Sequence, residues 1–293
     1  MFRNACKVVQ PFTLPLIWCA KRLDGVCSAA LGTFIVVNRE GWVITAGHIA
    51  QQYGEMLKDV EFIKDYRNQA DQIKADPTID DKERKKKINR LQKPRNKQIE
   101  RIAQVWSIFP GNPVPRSLMA FMPVDIAVGK LEPFDPSWVA SYPVFKDPTK
   151  DFDTGTSLCR TGFPFHTDIV PKWDDATQRF DLPPGTFPAP LFPIEGVFTR
   201  TIQHTPTPGS EPFPFPFRWI ETSSPGLKGQ SGGPIFDGNG TIWGMQCQTY
   251  CYDLDFKTAT GTPQYLNVGV GVHPETLFAV FKKFDIKYDV SAY

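Results

Sequence analysis

The sequence predicts a mostly β fold that is interrupted by one helical segment. Its 293 residues include 28 prolines and 23 phenylalanines, which suits short strands joined by many loops and disfavours an all-helical chain. Short apolar runs bounded by glycine and asparagine turns recur before residue 51 and after residue 233. Residues 51–105 differ, because they are rich in Lys, Glu, Gln, Ile and Leu, with apolar side chains at helical spacing.

Length and charge narrow the class of protein. A chain of this length forms one large β domain or two units that share an interface. The formal net charge of +2 gives no reason to expect nucleic acid or membrane as a partner. No apolar run approaches the roughly eighteen residues that a membrane-spanning helix needs. We therefore expect a globular protein that binds neither nucleic acid nor membrane.

The first fifty residues predict three strands. The apolar run Val8–Ala20 follows two basic residues, as a signal sequence would, but Pro11 and Pro15 interrupt it and no small-residue cleavage site follows. We therefore expect a strand there. Ala29–Val37 and Trp42–Thr45 flank a short turn that ends in glycine, so they predict a hairpin.

The helical segment predicts a hairpin of two helices. Glu55–Ala75 and Asp80–Val105 carry the helical pattern, and Asp80 or Asp81 is expected to cap the second helix. The basic run Arg84–Lys87 has two interpretations. It could bind an acidic partner, which would make the insertion a contact for a regulatory protein, or it could be a solvated helix face, the commoner case.

Residues 164–220 predict long, stiff loops around a strand at Val197–Ile202. Proline recurs through this stretch, often beside phenylalanine, and it removes a backbone donor from sheet pairing. The motif Phe213–Phe217 also has two interpretations. It could form a rim that docks peptides or takes part in activation, or it could pack on its own sheet, which we favour.

The end of the chain predicts an amphipathic helix. Pro274 suits the first helical position, because its missing N–H group would have no partner there in any case. Leu277, Phe278, Phe281 and Phe284 follow at helical spacing and would form one apolar face.

The stretch Gly229-Gln230-Ser231-Gly232-Gly233-Pro234 carries the chemistry. Glycines on both sides of a serine allow a sharp turn, expose the hydroxyl and let N–H groups point at a developing oxyanion. The pattern fits the nucleophile elbow of α/β-hydrolases, in which His273, with Asp253 or Asp255, would complete the site. That elbow requires a helix after the serine, whereas Pro234–Gly244 predicts a hairpin.

The same serine also fits the chain order His, Asp, Ser. His48 follows the strand-like run Trp42–Ile44, and Asp125 precedes an apolar run at residues 126–131. These segments resemble the trypsin-like serine peptidases, specifically the HtrA-like branch. Three further segments resemble later strands of that family: Leu158–Phe165, Glu195–Phe198 and Asn267–Pro274.

The resemblance implies an all-β, chymotrypsin-like fold of two antiparallel six-stranded β-barrels. It places the first barrel, with the helical hairpin inserted at about 51–105, in residues 1–133. The second barrel, with the Pro-rich loops and the C-terminal helix, would take residues 134–293. Members of this branch usually continue into a PDZ domain, for which this chain is expected to have no room.

The resemblance also implies a mechanism and a binding cleft. Ser231 would attack the scissile carbonyl, His48 would move the proton and Asp125 would orient His48, with the N–H groups of Gly229 and Ser231 as the oxyanion hole. No metal or cofactor is required. The walls of the specificity pocket would come from Pro225, Leu227, Cys247, Gln248 and Thr249. Because no acid lies near Pro225, a small or medium uncharged P1 residue, the one before the scissile bond, is expected.

Six scattered cysteines predict free thiols in a cytoplasmic protein. The family resemblance implies a bacterial one. Cys247 and Cys251 could still form a small disulfide or offer two metal ligands. We expect a serine endopeptidase, dedicated to processing or regulated, that acts on a protein or peptide substrate. The alternatives are a catalytically silent peptide-binding module with the same fold, and an esterase that uses the elbow order.

Overall fold

The computed structural model describes residues 1–21, 26–92, 102–106, 115–177, 179–203, 214–257, 261 and 263–292. The α-helices of these residues are α1 Arg3–Val9, α2 Gly47–Ala75, α3 Asp81–Gln92 and α4 Pro274–Lys283. The strands are β1 Thr13–Lys21, β2 Cys27–Val36, β3 Trp42–Ala46, β4 Ile102–Trp106, β5 Pro115–Phe121, β6 Ile126–Leu131, β7 Val144–Phe145, β8 Ser157–Arg160, β9 Lys172–Asp174, β10 Arg179–Asp181, β11 Ile194–Gln203, β12 Arg218–Thr222, β13 Pro234–Phe236, β14 Ile242–Lys257, β15 Pro263–Val272 and β16 Asp289–Val290.

The first sheet contains six antiparallel strands in the order β4-β1-β2-β3-β6-β5. The predicted hairpin of β2 and β3 is confirmed, with Ile35 opposite Ile44. Its turn is closed by Asn38, whose side-chain oxygen accepts from the N–H of Glu40 at 3.0 Å.

The second sheet contains eight strands, of which six pair in a closed cycle. The order β13-β8-β11-β12-β15-β14 returns to β13 through an antiparallel β13–β14 pairing. β7 and β16 extend this sheet as parallel neighbours. In the described residues of the first sheet, the outer strands β4 and β5 do not pair with each other. The fold is therefore mostly β with mixed topology, and it is consistent with a chymotrypsin-like arrangement.

The two sheets share one apolar core. A single cluster of buried side chains includes Phe34 and Val128 of the first sheet and Phe236 and Val272 of the second. Fully burying one side chain of this kind stabilises the fold by roughly 1.5–3 kcal/mol. The predicted C-terminal helix is confirmed as α4, whose buried residue Phe281 belongs to the same cluster.

The helical insertion differs from the prediction at both ends. α2 already begins at Gly47, directly after β3, and α3 ends at Gln92. Ile102–Trp106 forms strand β4 and pairs with β1, so the prediction of a helix to residue 105 was wrong. Pairing with a strand about eighty residues away outweighs the local helical spacing. Asp80 caps α3 as expected, because its carboxylate accepts from the N–H of Glu83 at 2.7 Å.

Two other regions refine the predictions. The N-terminal run starts as helix α1 and becomes a strand only at Thr13, because Pro11 lies in a short 3₁₀ turn that ends the helix. In the Pro-rich region, Phe215 is buried and its ring lies 5.0 Å from that of Phe121. Phe121 ends β5 of the first sheet, so this part of the loop packs onto the other sheet, whereas the sequence favoured packing onto its own. Residues 204–213 lie outside the described part of the chain. None of the helices in the described residues is long and apolar enough to cross a membrane.

Candidate active site

Sheet pairing brings His48 and Asp125 to the same end of the first sheet. β3 and β6 are antiparallel, and Ala46 at the end of β3 lies opposite Ile126 at the start of β6. The residues just after β3 and just before β6 are therefore neighbours. Asp125 has a left-handed backbone (φ 52°), which aspartate tolerates better than most residues and which turns the chain from a 3₁₀ turn into β6.

The carboxylate of Asp125 bonds both the backbone N–H and the imidazole ring of His48. The carboxylate oxygens of Asp125 lie 2.9 and 3.1 Å from Nδ1 of His48, and Oδ1 accepts the backbone N–H of His48 at 2.9 Å. Asp125 is 4 % exposed, whereas the His48 side chain is 34 % exposed. The acid is thus buried behind an imidazole whose outer edge remains accessible.

These contacts fix the proton on the inner ring nitrogen. A carboxylate can only accept hydrogen bonds, so Nδ1 carries the shared proton and the lone pair of the neutral ring lies on Nε2. The charge of Asp125 has a second role. Ala46, the N-cap of α2, has no side-chain acceptor, so Asp125 caps this helix in its place. A negative charge at a helix N-terminus is stabilised by the helix dipole.

Ser231 lies in the loop between β12 and β13, where two glycines have a left-handed backbone. Gly229 has φ +93° and Gly232 has φ +86°, a conformation that side chains rarely adopt. A Cβ at Gly232 would lie 2.0 Å from the carbonyl oxygen of Thr33, and one at Gly229 would lie 2.2 Å from that of Phe163. Both positions therefore require glycine on two grounds, backbone conformation and space.

The Ser231 loop docks on the first sheet beside His48. The N–H of Thr33 donates to the carbonyl of Ser231 at 3.1 Å, and its hydroxyl donates to the carbonyl of Gly229 at 2.7 Å. Gly232 packs against the N–H of Ala46, two residues before His48. The serine loop of the second sheet thus contacts strands β2 and β3 of the first, close to the strand end that precedes His48.

Gln230, the residue before the serine, is held in place by its own neutral side chain. Gln230 is fully buried, its Oε1 accepts the N–H of Leu227 at 2.9 Å, and its Nε2 donates to the carbonyl of Phe192 at 3.0 Å. These two bonds fix the loop without any charged partner.

One link of the predicted triad is not formed. Among the described residues, the hydroxyl of Ser231 makes no hydrogen bond, to His48 or to any other group. The N–H groups of Gly229 and Ser231 likewise donate to no group in the described part of the chain. Catalytic hydrogen bonds are often long without substrate and tighten when it binds.

The predicted pocket walls lie against each other. The hydroxyl of Thr249 lies 3.0 Å from both the N–H and the carbonyl of Gly226, which joins the stretch before the serine to β14. Leu227, Gln248 and Thr249 are exposed and Pro225 is half-buried. These four can therefore meet a ligand.

Cys247 does not fit its predicted role. Its side chain is 3 % exposed and its thiol donates to the carbonyl of Val270 at 3.2 Å, so this thiol points into the protein. Burial and the charge of Asp125 raise the pKa of the thiol well above its ordinary value.

Cys247 and Cys251 are both free. They lie four residues apart on one strand, roughly 13 Å and too far for a disulfide. Within the described residues, no group of three His, Cys, Asp or Glu could hold a metal ion.

Sequence reasoning missed Arg160. It ends strand β8 inside a motif that the family resemblance used, but no role was assigned to it. The structure buries it (2 % exposed) below the pocket walls, where its guanidinium bonds Gln246 and Ser224. The signal that could have found it is a charged residue at the end of the otherwise apolar run Leu158-Cys159.

The alternative elbow geometry is absent. β13 follows the serine and pairs with β14, so a hairpin replaces the required helix. His273 is 2 % exposed, and its Nδ1 accepts the N–H of Glu275 at 3.1 Å as the N-cap of α4. His204 lies outside the described residues.

Comparison with known proteins shows the fold. No family model matches this chain, and no curated protein matches its sequence. Among solved structures, the chain is similar to a serine-to-alanine variant of the HtrA-type protease AlgW with a tripeptide (TM-score 0.50, 13 % identity). It is equally similar to that variant with a decapeptide (TM-score 0.50, 12 % identity). Both alignments cover 98 % of this chain, which spans only 64 % and 66 % of those two chains. The likeness supports a protease fold.

Proposed function

We propose that this protein is a serine endopeptidase of the trypsin-like, HtrA-like type, with a two-barrel fold divided near residue 133. The observation that carries the proposal is the buried Asp125 bonded to Nδ1 of a half-exposed His48, with the Ser231 loop docked beside them. In this proposal His48 takes the proton of Ser231 as the hydroxyl attacks a peptide carbonyl. It then returns the proton to the leaving amine.

The chain's own groups supply the other requirements of acyl transfer. Asp125 keeps the imidazole in the productive tautomer and stabilises the imidazolium that forms. In this proposal the N–H groups of Gly229 and Ser231, which donate to no described group, bind the developing oxyanion. Losing one such donor typically costs about 100- to 1,000-fold in rate. Water then releases the acyl group from Ser231, again with His48 as the base.

The helical insertion has a geometry that suits regulation. α2 begins one residue before His48, so a partner bound to the insertion would act directly on the segment that carries the base. We propose a dedicated processing or regulated cytoplasmic protease on this basis. Hydrogen exchange in α2 that stays unchanged when substrate or partner binds would argue against such control.

Labelling with a fluorophosphonate probe tests the proposal. We expect the wild type to be labelled, Ser231→Ala to lose the label and Ser28→Ala, at an exposed serine of β2, to keep it. Mass spectrometry of the labelled peptide should place the adduct on Ser231. An adduct elsewhere, or equal labelling of Ser231→Ala, would refute the assignment.

One observation favours a second function. The missing hydrogen bond between Ser231 and His48 fits a catalytically silent module that uses the same cleft to bind peptides. That function predicts peptide binding without labelling and without cleavage.

A further inference from the structure

A buried arginine lies beneath the two walls of the pocket. Arg160 is 2 % exposed, and its Nη1 donates to Oε1 of Gln246 at 2.7 Å. Its Nη2 donates to the hydroxyls of Thr222 and of Ser224, the latter at 3.3 Å. Ser224 begins the wall that precedes the serine, and Gln246 precedes the wall on β14. The guanidinium therefore touches the base of both walls.

All these partners are neutral. No carboxylate of the described residues lies within ion-pair distance of this guanidinium, whereas Arg200 and Arg218 each pair with a glutamate. Burial lowers the pKa of Arg160 to about 10, which still leaves it charged at neutral pH. Burying a charge is unfavourable unless an opposite charge compensates it. The position thus carries an uncompensated positive charge beside a predicted substrate pocket.

Glycines make room for this arrangement. A Cβ at Gly269 would lie 1.7 Å from Nη1 of Arg160, and a Cβ at Gly226 would lie 2.4 Å from Nε2 of Gln246. The absence of side chains at these positions leaves space for a planar guanidinium and for the amide above it. From the surface inward, Thr249 bonds the backbone of Gly226, which packs against the side-chain amide of Gln246. That amide in turn accepts a hydrogen bond from Arg160.

We propose that Arg160 determines specificity by binding the carboxylate of a glutamate or aspartate at the P1 position. The proposal rests on the peptidase function above, of which it names the substrate class. Oε1 of Gln246 occupies the acceptor position that a substrate carboxylate oxygen would take. The incoming side chain displaces this amide and the hydroxyl of Thr249, and it supplies the missing negative charge. This revises the expectation of an uncharged P1 residue, which considered acids near Pro225 but not a base below it.

The simpler alternative is that Arg160 only supports the walls. Its three hydrogen bonds would then position Ser224 and Gln246, and the pocket would accept a small P1 residue under Thr249. The two roles differ in one respect. Wall support needs the hydrogen bonds of Arg160, whereas recognition of an acid needs its charge to be uncompensated.

The direct test compares peptides that differ only at P1. We expect kcat/KM for P1 glutamate to exceed that for glutamine or alanine at least tenfold, since glutamine has the same shape without the charge. Equal rates, or a preference for alanine, would overturn the proposal.

Gln246→Glu separates the two roles. The new carboxylate would pair with Arg160 and keep the contact below the walls, although it loses the bond that Nε2 of Gln246 donates to the carbonyl of Gln248 at 2.7 Å. The fold should be retained while the preference for acidic P1 residues is lost. Retention of the acidic preference in Gln246→Glu would contradict the proposal. Arg160→Gln should also lose the preference but could fold poorly, so Gln246→Glu is the deciding variant. Arg200→Gln, which removes an exposed arginine, is the control and should keep the preference.

A binding assay keeps this test independent of catalysis. In a Ser231→Ala background, the glutamate peptide should bind at least tenfold more tightly than the glutamine peptide, and Gln246→Glu should abolish the difference. If the probe fails to label Ser231 but this difference is present, the peptidase function fails and acid recognition stands. If the probe labels Ser231 but neither rates nor binding depend on the P1 charge, the peptidase stands and acid recognition fails.

Discussion

Two histidines of this protein occupy similar places and have opposite surroundings. His48 and His273 each follow a strand and lie at the start of a helix, α2 and α4 respectively. The ring of His48 is partly exposed and faces the carboxylate of Asp125. The ring of His273 is buried, accepts a backbone N–H and lies 4.6 Å from the ring of Phe152.

The difference shows what makes a histidine usable as a base. A general base becomes charged during the reaction, so it needs a neighbour that stabilises the imidazolium and an open path to substrate. His48 has both. Burial, and secondarily the charge of Arg218, lower the pKa of His273 to about 4, so His273 remains neutral and structural at neutral pH. The comparison favours the His, Asp, Ser order over the elbow order, which would need His273.

The largest expected effect separates the two histidines directly. His48→Ala should lower kcat by roughly 10⁶-fold, the scale seen when the histidine of such a triad is removed. His273→Asn should change kcat less than about twofold, because asparagine can still cap α4. Peptide hydrolysis and probe labelling measure both. Activity that survives His48→Ala and disappears in His273→Asn would reverse the comparison and support the esterase.

The next effect tests the partner of His48. Asp125→Asn should lower kcat by about 10⁴-fold, because the amide favours the wrong imidazole tautomer. The same change weakens the cap of α2, so the helix should also lose stability, by roughly 0.5–1 kcal/mol. Asp147→Asn, at a half-buried aspartate that bonds the hydroxyl of Thr149, serves as the control for kcat. A kcat for Asp125→Asn within tenfold of the wild type would exclude Asp125 as the orienting acid.

Much of the structure around the two histidines could be predicted from the sequence, because its hairpins and helix α4 have local sequence signals. The β2–β3 and β13–β14 hairpins have glycine and asparagine turns between apolar runs, and the spacing after Pro274 identifies α4. The positions of His48 and Asp125 at strand ends follow from the same signals. The environment of His273 could not be predicted, since its burial depends on distant residues such as Phe152.

What could not be predicted depends on contacts between distant segments. β4 exists because it pairs with β1, and its own residues carry a helical pattern. α2 extends back to Gly47 because Asp125, 77 residues later than His48, caps it. Arg160 is an ordinary charged residue in the sequence, and only packing against Gly269 and Gln246 makes it a buried cation.

A smaller effect concerns how the Ser231 loop docks on the end of β3, two residues before His48. Gly232→Ala would force a side chain into a left-handed backbone and against the carbonyl of Thr33, so unfolding free energy should fall by about 3 kcal/mol. Hydrolysis should fall with it, since the loop can no longer dock next to Ala46. Gly238→Ala is the matched control, because a Cβ there meets nothing within 4 Å. Similar melting temperatures for the two variants would show that this docking is not tight.

The smallest effect uses pH to distinguish the buried histidine. The ordinary pKa of 6.5 applies to His273 in the unfolded chain, and its folded pKa is about 4, so the unfolded state binds more protons between these values. Stability is therefore complete above about pH 6.5 and decreases as the pH falls toward 4. Between pH 7.5 and pH 5 this histidine should remove about 2 kcal/mol of unfolding free energy.

His273→Asn isolates that contribution. Asparagine keeps the N-cap but does not titrate, so denaturant unfolding at the two pH values should show a pH-dependent loss smaller by about 2 kcal/mol than in the wild type. Comparing the slopes removes any constant change in stability that the substitution causes. The groups nearest the ring, Arg218 and Glu275, remain in both proteins, so their own titration cancels. An unchanged pH slope would mean that His273 already charges in the folded state, and the contrast with His48 would then rest on Asp125 alone.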